Sequence, residues 1–389
     1  MPEKIINYKC PACTGPLHYV GDSGKLECDY CGSKYTIAEI ESIYKEKVES
    51  AAEAAAEESQ AEAPAAAETG GASSQTSSGD WDTSSLENWN SAGQGLRIYS
   101  CPSCGAELIC DENTAATRCP YCGNPTVVPG QLSGTLKPDY VLPFKLNKED
   151  AQKALLRHYQ GKALLPETFR DEKNIQEIQG VYVPFWLFDG TARVVLDIDA
   201  SESTAFMQGD YEVTETKHYE VHRDGDVVFE KIPVDAASKM PDEYMDSLEP
   251  YDYNKLEPFS MAYLAGYLAD KFDVSVEQSA KRADERAVNT AEDVVRNTVS
   301  YETAVVRNKK VTLKRGKVHY ALIPTYLLTI RWNEGQYLFA VNGQTGKVVG
   351  ELPSSQEKER KEFLKTFLTA VIVGIPVLSI LMYLVMYAL

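Results

Sequence analysis

Eight of the nine cysteines fall into four Cys-x-x-Cys pairs: Cys10/Cys13, Cys28/Cys31, Cys101/Cys104 and Cys119/Cys122. In each of two cassettes, "CPACTGPLHYVGDSGKLECDYC" and "CPSCGAELICDENTAATRCPYC", fourteen residues separate the pairs. A two-residue gap lets one tight turn aim both sulfurs at a single ion, and glycine after Cys31, Cys104 and Cys122 lets backbone N–H groups approach the thiolates. Two such knuckles close a tetrahedron. The spacing therefore predicts two structural Zn2+ ions, each wrapped by four thiolates, with no open position for activating water or polarising a substrate. A module of about thirty residues has too little core to fold alone, and the ion makes up the difference.

The cassettes align without a gap, from Tyr8/Tyr99 through Leu17/Leu108 to Gly32/Gly123. In that register Cys110 falls opposite Tyr19, a side-chain packing position, so it reads as a small apolar filler and not as a ligand. Paired cysteines in a chain this long suit metal better than a disulfide framework, which points to a reducing compartment.

The formal net charge of −18 repels nucleic acid and anionic headgroups over most of the surface, and no local basic patch stands out. In the first cassette Lys9, Lys25 and Lys34 are balanced by Asp22, Glu27 and Asp29, and in the second Arg118 faces Glu107, Asp111 and Glu112. Without surplus cations there is little counterion release to drive nucleic-acid binding, so protein–protein contact is the better use of such ribbons. Nucleotide-binding P-loop, dinucleotide, His-Glu-x-x-His and Gly-x-Ser-x-Gly motifs are absent from the sequence, and the chain is not expected to be an enzyme. His218 and His222 would sit about 13 Å apart on a strand, too far to share an ion. The carboxylates Glu249, Asp252 and Glu257 read as a solvated loop.

These features predict a multidomain α+β protein: two small four-cysteine zinc ribbons, a β-rich mixed α+β domain and one C-terminal transmembrane helix. Ribbon 1 occupies residues 1–37, an acidic Ala/Glu-rich helix 38–61, a disordered linker 62–95 and ribbon 2 residues 96–130. Trp81 and Trp89 interrupt the linker's polarity, either as a docking motif or as packing on the chain's own domain. Residues 131–353 form the mixed domain. Its helices open at Asn147 and at a Ser275/Gln278 capping box, the second with a stripe of Val276, Ala280, Ala283, Ala287, Ala291 and Val294 that suits packing on its own sheet. Hairpins are expected at Asp224-Gly225 and around Asn342-Gly343. Pro143, Pro184 and Pro324, each inside an apolar strand-like run, predict strand starts or edges and hint at repeated β-units.

Residues 354–365 are basic, and 366–389 carry no charge, long enough at ~1.5 Å per residue for the ~30 Å hydrocarbon core. With the basic flank before the span, the expectation is a tail anchor embedded in membrane lipid, with the N-terminal bulk in the cytoplasm.

The two "CPxC…CxYCG" cassettes, with "GVYVPFWLFD", "SKMPDEYMDSLEPYDY", "AYLAGYLADKFDV" and "FAVNGQTGKVVGELP", resemble the bacterial TFIIB-type zinc-ribbon-containing membrane proteins, closely over residues 97–353. The resemblance implies an envelope-associated adaptor at the bacterial cell membrane, acting alongside SPFH (flotillin-like) or phage-shock proteins. Members are sometimes labelled a replication helicase, for which this chain lacks a nucleotide-binding motif. By position, only the eight paired cysteines inherit a role. The expected function is a single-pass adaptor whose ribbons reach a protein partner on a flexible arm. A membrane-tethered nucleic-acid-binding regulator is the alternative.

Overall fold

A computed structural model describes residues 9–15, 17–45, 80–87, 96–100, 105, 107–111, 128–130, 136–171, 175–333 and 335–388. The first cassette is a three-stranded antiparallel sheet of β1 (Leu17–Val20), β2 (Lys25–Cys28) and β3 (Lys34–Tyr35), followed by α1 over residues 37–45. Thr36 and Glu39 cap that helix reciprocally. The second cassette contributes β4 (Leu96–Ser100), β5 (Glu107–Asp111) and β6 (Val128–Gly130).

The remaining strands are organised around two very long ones, β8 (Ile175–Gln208) and β12 (Thr303–Trp332), which pair antiparallel over most of their length. Two similar units interlock here. The first runs β7 (Tyr140–Val141), α2 (Lys148–His158), β8 and β9 (Tyr211–Asp235); the second runs β11 (Leu268–Asp270), α4 (Val276–Arg296), β12 and β13 (Gly335–Asn342). Each unit's short first strand lies parallel to the other unit's long strand, β7 on β12 and β11 on β8. The hydrogen bonds repeat as well: Ala236 N–H donates to the Pro184 carbonyl and Gly343 N–H to the Pro324 carbonyl. Trp186 Nε1 donates to the Val274 carbonyl, and Tyr326 hydroxyl donates to the Leu146 carbonyl. The helices start at matching places, Asn147 capping Asp150 N–H and Ser275 forming the capping box with Gln278.

Symmetry explains the prolines. Pro184 sits in mid-strand, where the neighbour of β8 changes from β11, which ends opposite Tyr182, to β9, which begins opposite Phe185. Pro324 likewise sits where the neighbour of β12 changes from β7 to β13. A residue without an N–H costs no ladder bond in such a gap. Around Pro184 the run Val181–Phe188 is buried on both faces, with Val181, Val183, Phe185 and Leu187 on one side and Tyr182, Trp186 and Phe188 on the other. The first face is covered by α3 (Asp242–Leu248) through Met245 and Leu248, beside β10 (Glu257–Pro258). The second is covered by α2, α4 and ribbon 1.

Several expectations are corrected. Strand accounts for 43% of the described residues, beside five helices among them, so the architecture is mainly β and not mixed α+β. It is also more continuous than expected: β5 pairs with β11, so ribbon 2's strands belong to the central sheet. The Asp224-Gly225 turn does not form, because β9 runs straight through it with Asp224 opposite Val195; the hairpin turns instead between Gln208 and Tyr211, where Gly209 takes φ +67°. The hairpin at Asn342 forms between β13 and β14 (Val348–Gly350), with Asn342 Oδ1 accepting from Gln344 and Thr345 N–H.

The transmembrane helix and single-pass membrane localisation are overturned as well. No helix among the described residues is long and apolar enough to cross a membrane. The last helix, α5 (Gln356–Ala388), is charged through Lys365.

On α4 the expected stripe packs against β8, β9 and β12, except that Val295 is buried in place of Val294. Its opposite charges form a network: Arg282 reaches Asp235 at the end of β9 together with Asp242 and Asp246, and Arg286 grips Glu249 at 2.7 and 2.8 Å. Burial raises the Asp235 carboxyl to about 6 despite Arg282. Because that value lies above the unfolded one, the native state binds the extra proton between pH 6 and 4, and this site's contribution to stability grows as pH falls. Urea unfolding at pH 7 and pH 5 should therefore show Asp235→Asn losing its relative advantage on acidification, by about 1 kcal/mol against the parent. An unchanged difference contradicts the assignment.

Candidate metal centre

Both knuckles of ribbon 1 have the same backbone. Thr14 N–H donates to Cys10 carbonyl and Cys10 N–H to Gly15 carbonyl; Gly32 N–H donates to Cys28 carbonyl and Cys28 N–H to Ser33 carbonyl. The fifth residue of each knuckle is left-handed, Thr14 at φ +61° and Gly32 at +71°. Glycine takes this conformation freely, whereas Thr14 is strained there.

These turns bring the Sγ atoms of Cys10, Cys13, Cys28 and Cys31 within 4.8 Å of one another, with Cys10–Cys31 and Cys13–Cys28 at 3.5 Å. A tetrahedron of ~2.3 Å metal–sulfur bonds has edges of about 3.8 Å, so the four sulfurs could hold one metal ion. Cys10 and Cys28 are buried, and Cys13 and Cys31 are exposed. The protons are divided unevenly. Ser33, through hydroxyl and backbone N–H, draws the Cys31 thiol down to about 6. At Cys10 burial opposes ionisation, but the N–H groups of Cys13 and Ala12 outweigh it and lower the thiol. The Gly15 N–H favours thiolate at Cys13, yet hydrogen bonding with Cys31 and Cys28 pushes that thiol up to about 12. Crowded thiols that ionise unequally without a cation are a donor set suited to a soft dication.

Ribbon 1 is seated on the core. Tyr19 N–H donates to Ala265 carbonyl, its ring packs edge-on to Tyr263, Asn147 donates to Asp22, and Ser260 donates to Glu41. Leu17, Leu26, Cys28 and Ile40 join the buried cluster of the main body. Gly21 is required at this seam, since a Cβ there would lie 2.5 Å from the Phe144 carbonyl oxygen. A freely extending ribbon 1 is therefore not what the chain builds. The same segment serves both cassettes, because β5 pairs with Ala269 and Asp270 just beyond Ala265.

The second quartet, Cys101, Cys104, Cys119 and Cys122, lies outside the described residues, as does Trp89. Gly105, the equivalent of Thr14, is described and has φ +72°, matching the knuckle conformation. Trp81 is buried edge-on to Phe188 at 4.7 Å, and Asp82 exchanges hydrogen bonds with Gly316 and Val318, so this part of the expected linker packs on the chain's own sheet. His218 and His222 stand exposed on β9, His222 bonded to Asp197 at 2.7 Å. Glu249 is not a solvated carboxylate: Arg286 pairs with it and burial raises its pKa. Asp252 caps a turn at Asn254, and Glu257 lies in β10 opposite Val141.

One charged feature escaped sequence reasoning. Arg307, Lys309, Lys310, Lys314, Arg315 and Lys317 lie along β12 without an intervening acid. The overall negative charge masked them, although six basic residues with no acid over 307–317 were the available signal.

Cobalt substitution of ribbon 1 should give thiolate-to-metal charge-transfer absorption typical of tetrahedral sulfur coordination, and Cys31→Ser should reduce it. Relieving strain with Thr14→Gly should stabilise the metal-loaded chain by about 0.5–1 kcal/mol in thermal unfolding. An unaltered spectrum in Cys31→Ser contradicts the four-sulfur site.

No family model matches this sequence, and no solved structure matches it. A curated Bacillus subtilis (strain 168) protein, described as the uncharacterized protein YdjG, is 35% identical over 355 residues, covering 91% of this chain and 92% of its own length. The chain belongs to the family of YdjG.

Proposed function

We propose that this chain is a non-catalytic, zinc-stapled adaptor that binds a protein partner. The observation carrying this reading is the four-sulfur cluster seated against the core: an ion held by Cys10, Cys13, Cys28 and Cys31 has its coordination filled by protein. We assign it as Zn2+, with a second Zn2+ held by Cys101, Cys104, Cys119 and Cys122 in the repeated cassette. The ions would secure the seams where the ribbons meet residues 259–270 and leave the long β-sheet surfaces for recognition. The partner is assigned as an SPFH (flotillin-like) or phage-shock protein, an assignment supported by the family resemblance of the sequence.

Nucleic-acid binding draws its support from the basic strand β12. Much of that charge is already paired: Lys309 with Glu292, Arg315 with Asp284, and Arg307 with Glu220. Few cations remain to release counterions, which favours the protein-binding reading.

The test uses full-length chain immobilised and titrated with a purified flotillin-like protein and, separately, a phage-shock protein, before and after chelation. Zinc-dependent saturable binding of one of them is expected. Binding of neither, with steeply salt-dependent DNA or RNA binding instead, contradicts the proposal.

A further inference from the structure

The three-stranded ribbon formed by β12, β8 and β9 ends unevenly. β12 begins at Thr303, opposite Ser201, whereas β8 and β9 continue to their turn. Residues 202–217 thus form a two-stranded arm, exposed throughout except for half-buried Val213. Seven residues of β8, Glu202–Gln208, carry it about 23 Å beyond the end of β12. Phe206, Met207 and Tyr211 are 45%, 67% and 77% exposed at its tip, well above what isolated aromatic residues require of a surface. A two-stranded hairpin is marginal in water by itself.

The arm also has a specific unfilled edge. On the side of β8 where β12 would continue, Ser203 N–H is capped by the Glu302 carboxylate at 2.7 Å. By antiparallel alternation, the next groups aimed to that side belong to Ala205 and Met207, which have no strand partner there among the described residues. The sequence Ser203–Gln208, "STAFMQ", contains no charge and no proline. The other long edges are guarded: on β9 the acids Glu212, Glu215, Glu220, Asp224, Asp226 and Glu230 outnumber Lys217, Arg223 and Lys231, and β12 carries its basic series.

We propose that this edge pairs antiparallel with the same edge of a second copy, giving a two-fold dimer joined through a four-stranded sheet. Three features select a second copy as the occupant. An uncharged strand meets its own copy without placing like charges opposite, whereas β9 against β9 and β12 against β12 would repel. An antiparallel contact of one strand with itself is closed, so both open edges are satisfied at once. A chain of net charge −18 repels its copies across most of its surface, and an arm of this length lets the tips meet while the bodies stay separated by several times the ~8 Å screening length. This inference is independent of the partner assigned above.

Sedimentation velocity of the full-length, zinc-loaded chain tests it, with non-ionic detergent present to cover the apolar face of α5. A concentration-dependent dimer is expected, with a dissociation constant in the roughly micromolar range suited to a small interface. Met207→Lys, at an exposed position, should weaken dimerisation about tenfold or more without changing zinc content or thermal midpoint. Ala205→Pro, which removes an outward N–H, should do the same. A monomer at about 100 µM, far above that constant, would overturn the proposal. So would a dimer that both variants leave intact, or an edge that only a different protein's strand occupies.

Discussion

The antiparallel pairing of β8 with β12 is the constraint on which the rest of the molecule depends. Its central stretch is buried on both faces, and every other layer is placed by it: α3 and the residues preceding β10 on one side, α2, α4 and ribbon 1 on the other. Because each long strand also receives the short first strand of the opposite unit, neither unit can complete its sheet alone. Such interlocking joins residues far apart in sequence, Tyr182 with Pro324 and Trp186 with Tyr320, and makes the core a single cooperative body. The prolines at 184 and 324 are tolerated for the same reason, each marking the gap between consecutive neighbours.

The ribbons acquire a different meaning on this foundation. Two metal-binding cassettes suggest a pair of mobile recognition modules when read along the chain. In space, ribbon 1 contributes buried side chains to the main cluster, and ribbon 2 contributes β5 to the central sheet. Both abut residues 265–270, so an ion in ribbon 1 would fix the geometry of the core segment on which ribbon 2 also rests. Chelation should then disturb more than the knuckles.

Local chemistry was legible where it acts within a few residues. The four cysteines of ribbon 1, the caps at Asn147 and Ser275, the stripe of α4 and the Asn342 hairpin all followed from spacing and residue type. The failures share a physical origin in long-range partners. Asp224-Gly225 has the composition of a turn, but pairing with Val194 and Val195 keeps it extended. Glu249 resembles a loop carboxylate until α4 brings Arg286 beside it. Residues 80–87 have the composition of a linker, yet Trp81 packs on the chain's own domain, as one of its two readings has it, against Phe188 more than one hundred residues later. The apolar C-terminal run suggested a membrane span, yet no helix among the described residues is long and apolar enough to cross a membrane.

The most direct test of the account is X-ray absorption fine structure at the zinc edge of the purified full-length chain. Four sulfurs at ~2.3 Å per ion, with no oxygen or nitrogen in the coordination sphere, is the predicted result. A light-atom ligand, or fewer than four sulfurs, would expose a reactive face on the metal and contradict its role as a structural staple.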